Sequence, residues 1–363
     1  MGAGLVLSGG GANGAYELGV LKALMLGQSP STGRRPLEVD SIAATSIGTF
    51  NAAVLLSCYS GDWSDAVDGL ETVWLDRMAA PRAASPNGVF RYRPNFLEWL
   101  DVAQFRLNPW QPARALAGDA TFLARDWMTR AQGFMSGSGG VAHRFAELFD
   151  LSTFITPEPS DELVRATVSP ARIRESPVAL RVTTTQWEKG TLRVFSNADF
   201  SDGAGTSIVR ASGAIPGIFP PVAIAGELFV DGGVVLNTPL KPAIDAGADA
   251  LHVVYLDPEP GAVPLRPVGS TVDTIGRMFV ASFAATMRRD IAVAAGVNRE
   301  IAAGRHHRHR PLTIHLYHPR EDTGGALGML DFHRDRLEGL AGLGYRDTLA
   351  HDCAAAGCLN VIT

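Results

Sequence analysis

The stretch that most constrains this chain is Val39-Asp40-Ser41-Ile42-Ala43-Ala44-Thr45-Ser46-Ile47-Gly48, continuing into Thr49-Phe50-Asn51-Ala52-Ala53-Val54-Leu55-Leu56. Its first half is short, apolar and β-branched, the composition of a buried strand. Its second half is rich in Ala and Leu and reads as a helix. Thr45-Ser46-Ile47-Gly48 joins the two with no loop residues to spare, so the turn residue must take a strained backbone conformation. Small neighbours at Ala44 and Gly48 let the backbones pass. This is the pattern of a nucleophile elbow, which lifts a serine hydroxyl above a sheet edge at a helix N-terminus. Helix capping is the other reading of Ser46, because serine is a common N-cap.

A second strand-to-helix turn opens the chain. Ala3-Gly4-Leu5-Val6-Leu7 reads as a strand, and Ser8-Gly9-Gly10-Gly11-Ala12-Asn13-Gly14-Ala15-Tyr16 leads into Leu18, Val20, Leu21, Leu24 and Met25 at helical spacing. A glycine-rich turn there aims several backbone N–H groups into one space, where they bind phosphate or stabilise an oxyanion. Gly9, Gly11 and Gly14 also match G-x-G-x-x-G, so a dinucleotide-binding enzyme is an alternative. That alternative needs an acidic residue at the end of the second strand. Glu38 and Asp40 stand at its beginning, and Thr45-Ser46 occupy its end. The oxyanion reading accounts for both turns at once, if both lie on the C-terminal edge of neighbouring parallel strands.

Trp63 to Met78 reads as an amphipathic helix. Between about residues 80 and 159 the strand–helix alternation lapses. This segment holds Phe90, Phe96, Phe105, Phe122, Phe134, Phe145, Phe149 and Phe154, half of the 16 phenylalanines. It reads as a mostly helical cap inserted in an α/β domain, with a glycine-rich hinge at residues 133–140. Such a cap forms either an apolar lid or an insertion with its own small core. Strands are expected at Val178–Thr184, Leu192–Phe195, Glu227–Val230, Ala250–Leu256 and Leu312–Tyr317. Helices are expected from Ile208 up to the prolines at 216–221, near Leu240–Ala246, around Thr271–Ala303 and from about Leu330. Residues 260–363 form a C-terminal helical extension with one further strand.

A serine at an elbow needs a base. Asp231, after a strand and before Gly232-Gly233, is sharply turned and accessible; Asp199, Asp202 and Asp257 are its rivals. With 363 residues, 46% hydrophobic and 19% charged, the chain is long enough for one large α/β domain with an insertion. A net charge of −5 gives no basic field for nucleic acid. Cys58, Cys353 and Cys358 show no metal-ligand spacing and read as free thiols of a reducing compartment. Arg305-His306-His307-Arg308-His309-Arg310 reads as a solvated turn, because its arginines repel a cation. The sequence shows neither a cleavable leader nor a membrane-spanning run, and the expected location is cytoplasmic.

Four pieces taken together resemble the patatin-like phospholipase family: Gly9-Gly10-Gly11-Ala12-Asn13-Gly14, Thr45-Ser46-Ile47-Gly48, Ala211-Ser212-Gly213-Ala214-Ile215-Pro216-Gly217-Ile218-Phe219-Pro220-Pro221, and Asp231-Gly232-Gly233. Their order matches the family from residue 3 to about 257. The resemblance implies a three-layer α/β/α fold with a mainly parallel central sheet. It implies a Ser–Asp dyad without a catalytic histidine, in which Ser46 is the nucleophile and Asp231 the base. Backbone N–H groups of Gly9, Gly10, Gly11 and Ala12 would form the oxyanion hole. The implied reaction is hydrolysis of fatty-acyl esters of phospholipids or related lipids, with no metal or cofactor and with transient contact at a membrane surface. A catalytically silent binding protein of the same fold is the alternative from another class. Two positions depart from the family pattern: Ala44 stands in place of the elbow's first glycine, and Asn13 where the family often carries Arg or Lys.

Overall fold

The computed structural model describes residues 2–80, 87–92, 117–125, 127–128, 155–258, 271–305 and 310–359. β1 (Ala3–Leu7) leads into α1 (Gly14–Met25), and β2 (Ser41–Thr45) into α2 (Ile47–Cys58). α3 (Trp63–Thr72) runs on as a wider π-helical turn over Val73–Met78, so the expected single helix changes its winding part-way. β3 (Arg91–Tyr92) and β4 (Ile155–Thr156) form a small separate ribbon. α4 (Glu158–Thr167), α5 (Pro170–Glu175), β5 (Ala179–Gln186), β6 (Thr191–Ser196), α6 (Gly205–Ser212), β7 (Val222–Ile224) and β8 (Glu227–Asp231) follow. α7 (Leu240–Asp245), β9 (Ala250–Val254), α8 (Thr271–Ala302), β10 (Thr313–Tyr317), α9 (Gly325–Gly328) and α10 (Arg334–Leu349) complete the described chain.

Among the described residues, eight strands make the central sheet, in the order β10-β9-β1-β2-β5-β8-β7, with β6 also paired to β5. Five are parallel neighbours, from β10 to β5; β6 and β8 run antiparallel to β5, and β7 antiparallel to β8. Side chains on β1 and β2 alternate between two cores, as the two-residue period of a strand requires. Leu5, Leu7, Ile42 and Ala44 face the core shared with α1, α2 and α10. Val6 and Ala43 face the other, with Leu240, Ala243, Ile291 and Ala294 of α7 and α8. Helices thus cover both faces, which is the three-layer α/β/α arrangement. Burying each such Leu, Ile or Val contributes about 1.5–3 kcal/mol.

The C-terminal helix is built into this core. α10 lies against α1 at a glycine crossing: a Cβ at Gly19 would fall 1.9 Å from the Ala341 carbonyl oxygen, and one at Gly344 would fall 2.1 Å from that of Tyr16. Only residues without a Cβ let the two backbones approach so closely. α6 ends at Gly213, short of the prolines that the sequence suggests as its stop. The glycine-rich hinge at 133–140 and most of the 80–159 segment, including Phe96, Phe105, Phe134, Phe145, Phe149 and Phe154, lie outside the described residues, as do His306–His309.

Candidate active site

β1 and β2 are adjacent and parallel, so the glycine-rich turn and the Ser46 turn emerge side by side on the sheet's C-terminal edge. Ser46 has φ 55° and ψ −123°, a left-handed conformation that few residues other than glycine adopt. Its side chain makes no capping hydrogen bond to α2. Helix capping therefore does not explain the serine. Instead, its Oγ donates to Asp231 Oδ2 at 2.6 Å, in a buried contact. The elbow is tight enough to need Gly48, where a Cβ would lie 2.6 Å from the Leu7 carbonyl oxygen. Ala44 is fully buried in the core, and Ser46 keeps the strained elbow geometry next to it.

The elbow is held by a residue whose role the sequence does not reveal. Ser212, at the end of α6, accepts the Ser46 N–H at 2.9 Å and donates its single proton to the Thr183 carbonyl at 2.8 Å. Its 2.8 Å contact with Thr49 Oγ1 must then be donated by Thr49. The hydroxyl is fully occupied, and it ties the strained turn to β5. The only sequence signal was the position of Ser212 inside the Ala211–Pro221 motif.

Asp231 closes β8, which runs antiparallel to β5 and brings its last residue back to the C-terminal edge. Its N–H donates to the Ala214 carbonyl at 2.9 Å, its own carbonyl accepts from Thr185 Oγ1 at 3.0 Å, and its Oδ1 accepts from the Gly233 N–H at 2.7 Å. Backbone and carboxylate are both fixed, with Oδ2 left for Ser46. Burial raises its pKa from 3.8 to about 6, against the hydrogen bonds from Ser46 and Gly233, which lower it. The rival acids are elsewhere engaged. Asp199 caps the turn at Ser196, Asp202 is exposed beside Arg174, and Asp257 is buried under the influence of the Arg277 charge. Asp40 accepts the Ala3 N–H at 2.8 Å at the start of β2, the wrong end for holding a ribose. Among the described residues, no histidine is hydrogen-bonded to Ser46 or Asp231.

Two of the four N–H groups expected to serve an oxyanion are engaged within the fold. Gly9 donates its N–H to the Asn237 carbonyl at 3.3 Å, and Ala12 to that of Met329 at 2.8 Å, so both are spent inside the fold. Among the described residues, Gly10 and Gly11 have no such acceptor. Gly11, at φ +57°, lies in the same cavity as Ser46, and a Cβ there would be 2.3 Å from the Met329 carbonyl oxygen. The turn is also braced from beyond Asp231. Asn237 Nδ2 donates to the Gly9 carbonyl at 3.2 Å, and Thr238 and Ser8 hydroxyls meet at 3.0 Å. At the Asn13 departure a cation arrives from elsewhere: Arg336 of α10 donates to Asn13 Oδ1 at 2.6 Å. Behind the elbow, Asn51 donates to Glu17 Oε2 at 2.8 Å and accepts from Trp74 Nε1 at 2.8 Å. Burial holds the Glu17 carboxyl well above the usual carboxylate range.

Ser46 opens onto a cavity of about 110 Å³ whose walls are mostly apolar, including Phe50, Phe90, Ile215, Phe219 and Phe332. Phe90 comes from the start of the aromatic-rich segment, and Phe332 from the chain just before α10. Ser160 and the Asp161–Arg210 ion pair supply the polar part of the lining.

A strained elbow serine bonded to a buried carboxylate beside a glycine-rich turn, all on one edge of an α/β/α sheet, defines an α/β protein of the nucleophile-elbow class. A model of the patatin-like phospholipase family matches residues 5–244, and the chain belongs to that family, whose members act on lipid substrates. Among solved structures it is similar to VipD from Legionella pneumophila, with 15% identity and a TM-score of 0.34. That match covers 94% of this chain and 66% of the VipD chain, so this chain spans just under two thirds of that length.

Proposed function

We propose that the chain is a serine acyl hydrolase that cleaves fatty-acyl esters of phospholipids or related lipids with Ser46 and Asp231 as its catalytic dyad. The observation that carries this reading is the 2.6 Å hydrogen bond from Ser46 Oγ to Asp231 Oδ2, made at a strained elbow facing an apolar cavity. The bond lies within the reach of about 2.6–3.2 Å that general-base catalysis requires. Ser46 Oγ attacks the ester carbonyl carbon while its proton passes to Asp231. The carbonyl oxygen becomes an oxyanion beside the free N–H groups of Gly10 and Gly11 and the N-terminus of α2. Collapse breaks the ester C–O bond, and the departing alkoxide takes the proton from Asp231. Water then adds to the acyl-enzyme, giving its proton to Asp231, and the fatty acid leaves as Ser46 is reprotonated.

Burial suits the aspartate to this work, because a carboxylate with its pKa raised to about 6 is a better base than an exposed one and is still ionised at pH 7 to 8. The apolar walls of the cavity fit a hydrocarbon chain. Membrane contact is then transient, at the surface where the substrate resides.

The test pairs a fluorophosphonate probe with p-nitrophenyl esters of graded acyl length and a phospholipid panel. The expected result is covalent labelling at Ser46, turnover that rises with chain length, and loss of both in Ser46→Ala. Equal labelling of the Ser46→Ala protein would remove the hydrolase reading.

A further inference from the structure

Four metal-ligating side chains outside the hydrolase site converge on one point. His315 lies in β10, and His351, Cys353 and Cys358 follow α10; one ligand atom from each lies within 4.8 Å of all the others. We propose that these four residues bind a single zinc ion as a closed, tetrahedral Cys2His2 structural site.

The local backbone is shaped to present them. Between the two cysteines the chain folds into a compact turn, with the Ala356 N–H donating to the Asp352 carbonyl at 2.9 Å and the Cys358 N–H to that of Cys353 at 3.0 Å. Gly357, at φ +72°, takes the left-handed step that closes the turn. Leu359 then pairs with Ile314 through two backbone bonds, Ile314 N–H to Leu359 carbonyl at 2.7 Å and the reverse at 2.9 Å. That pairing sets Cys358 beside the residue after Ile314, which is His315. The His252 ring stacks on His315 at 4.9 Å and helps fix its orientation.

Three sulfur–nitrogen separations match the ion. Cys353 Sγ lies 3.5 Å from both His315 Nδ1 and His351 Nε2, and Cys358 Sγ lies 3.5 Å from His351 Nε2. Zinc bonds of about 2.3 Å to sulfur and about 2.0–2.1 Å to nitrogen, at tetrahedral angles, put sulfur and nitrogen roughly 3.6 Å apart. Hydrogen bonding among the four groups is a poorer account. His351 Nε2 faces two sulfurs with one lone pair or one proton, and cannot satisfy both. The Leu316 N–H also donates to Cys358 Sγ at 3.2 Å, the kind of outer bond that steadies a metal-bound thiolate.

The donor set of two sulfurs and two imidazoles selects zinc among abundant cations. Binding displaces one proton from each thiol, so two thiolates and two neutral imidazoles give a neutral centre. Four protein ligands leave no position for substrate, which makes the role structural. The ion would fasten the C-terminal turn to β10, and with it the end of α10. β9 and β1 separate β10 from the strand that carries Ser46, so the ion takes no part in ester cleavage. Cys353 and Cys358 form no disulfide, as the sequence suggests, and the proposed ion would take them up as thiolates.

The experiment uses the full chain, purified with reductant, stripped by chelator and titrated with Co²⁺. Expected are one equivalent bound, strong visible ligand-field bands of tetrahedral cobalt and a near-ultraviolet thiolate-to-cobalt band, all displaced by one equivalent of Zn²⁺. Zinc should raise Tm by several degrees while leaving hydrolysis of a short ester within about two-fold. Cys358→Ser and His315→Ala should each lose the tetrahedral spectrum, and Cys58→Ser should keep it. Octahedral cobalt only, no stoichiometric binding by the reduced wild-type chain, or an unchanged spectrum in Cys358→Ser overturns the proposal. The wild-type titration decides the matter even if a ligand variant fails to fold.

Discussion

The Ser46 corner and the His315 corner hang from the same sheet and are built on opposite plans. At Ser46, three loops converge, the backbone is strained, and a cavity lies open on one side. At His315, a turn and a strand close around a point from four sides, with the second cysteine locked by backbone pairing. A site for turnover must hold its reactive group firmly and still leave room for substrate, so some polar groups stay unspent until substrate arrives. A site for stability spends all of its donors on one centre. The comparison predicts that changes at the first corner move rates and can even raise stability. Changes at the second should move stability and leave rates alone.

The largest effect expected is at Ser46 itself. Ser46→Ala should lower kcat/KM by at least about 10³-fold, since it removes the hydroxyl proposed to form the acyl-enzyme. Asp231→Asn should lower it by about 10²–10⁴-fold. It should also do something no ordinary loss of a buried hydrogen bond does, because it removes a buried charge. The folded pKa of about 6 lies above the unfolded value of 3.8, so the fold disfavours the carboxylate. Such an acid subtracts stability above about pH 6, and the subtraction fades as pH falls toward 3.8. Its full size is on the order of 3 kcal/mol, because each tenfold rise in proton affinity on folding carries about 1.4 kcal/mol. Thermal melts at pH 8 should therefore show Asp231→Asn above wild type, with the gap narrowing to about a third by pH 4.5. A variant less stable than wild type at pH 8 breaks the comparison at its first corner.

The same raised pKa sets the pH profile. With Asp231 as base, kcat/KM should fall tenfold per pH unit below about pH 6, as the carboxylate takes up a proton in the free enzyme. Asp257 is also raised to about 6 by burial, but the Ser46 hydroxyl donates to Asp231 and not to it. Asp257→Asn should thus leave the acid limb in place. A limb that moves with Asp257 instead would reassign the base.

Which parts of this arrangement could be read in the sequence follows from how local each one is. The elbow, the glycine turn and Asp231-Gly232-Gly233 are short runs whose residue types are forced by close backbone approach, as at Gly48 against Leu7 and Gly232 against Thr183. Runs of that kind are visible one at a time. β7 covers only Val222–Ile224, too short to show a period, and the antiparallel direction of β6 and β8 is a property of the sheet that no single strand records. Ser212 and Arg336 act through contacts 166 and 323 residues away in sequence, so nothing beside them marks the role. At the other corner three of the four proposed ligands lie close together in sequence, as His351-x-Cys353-x4-Cys358. The fourth sits on a strand 36 residues earlier and becomes a neighbour only through the Ile314–Leu359 pairing.

Ser212→Ala tests how much of the rate depends on holding the elbow. It leaves the Ser46 N–H and the Thr183 carbonyl without their partner, at a cost of about 1–3 kcal/mol for each stranded group. Ser46 would keep its bond to Asp231 but lose its anchor to β5. A displacement on the order of 1 Å costs about 10²-fold, so a drop in kcat of about 10–100-fold is expected, with KM for short esters little changed. The acid limb near pH 6 should persist, because the base is untouched. An unchanged kcat would mean that the strain at Ser46 is held by the strand and helix alone.

The smallest effect concerns the departure at the elbow's first position. Ala44 is fully buried, belongs to the core that α1 and α2 share, and stands two residues before a Ser46 that has already reached φ 55°. Its methyl therefore fits the space beside the elbow without blocking the turn, and a glycine there has nothing left to relieve. Ala44→Gly should leave kcat/KM within about two-fold of wild type. It should also lower stability, by about 0.8 kcal/mol for the buried methyl and about 0.5–1 kcal/mol for the freer unfolded backbone. Parallel measurement of ester turnover and thermal unfolding separates the two outcomes. A tenfold gain in turnover would show that the Ala44 methyl holds the elbow short of its working geometry, and that the strain at Ser46 is incomplete.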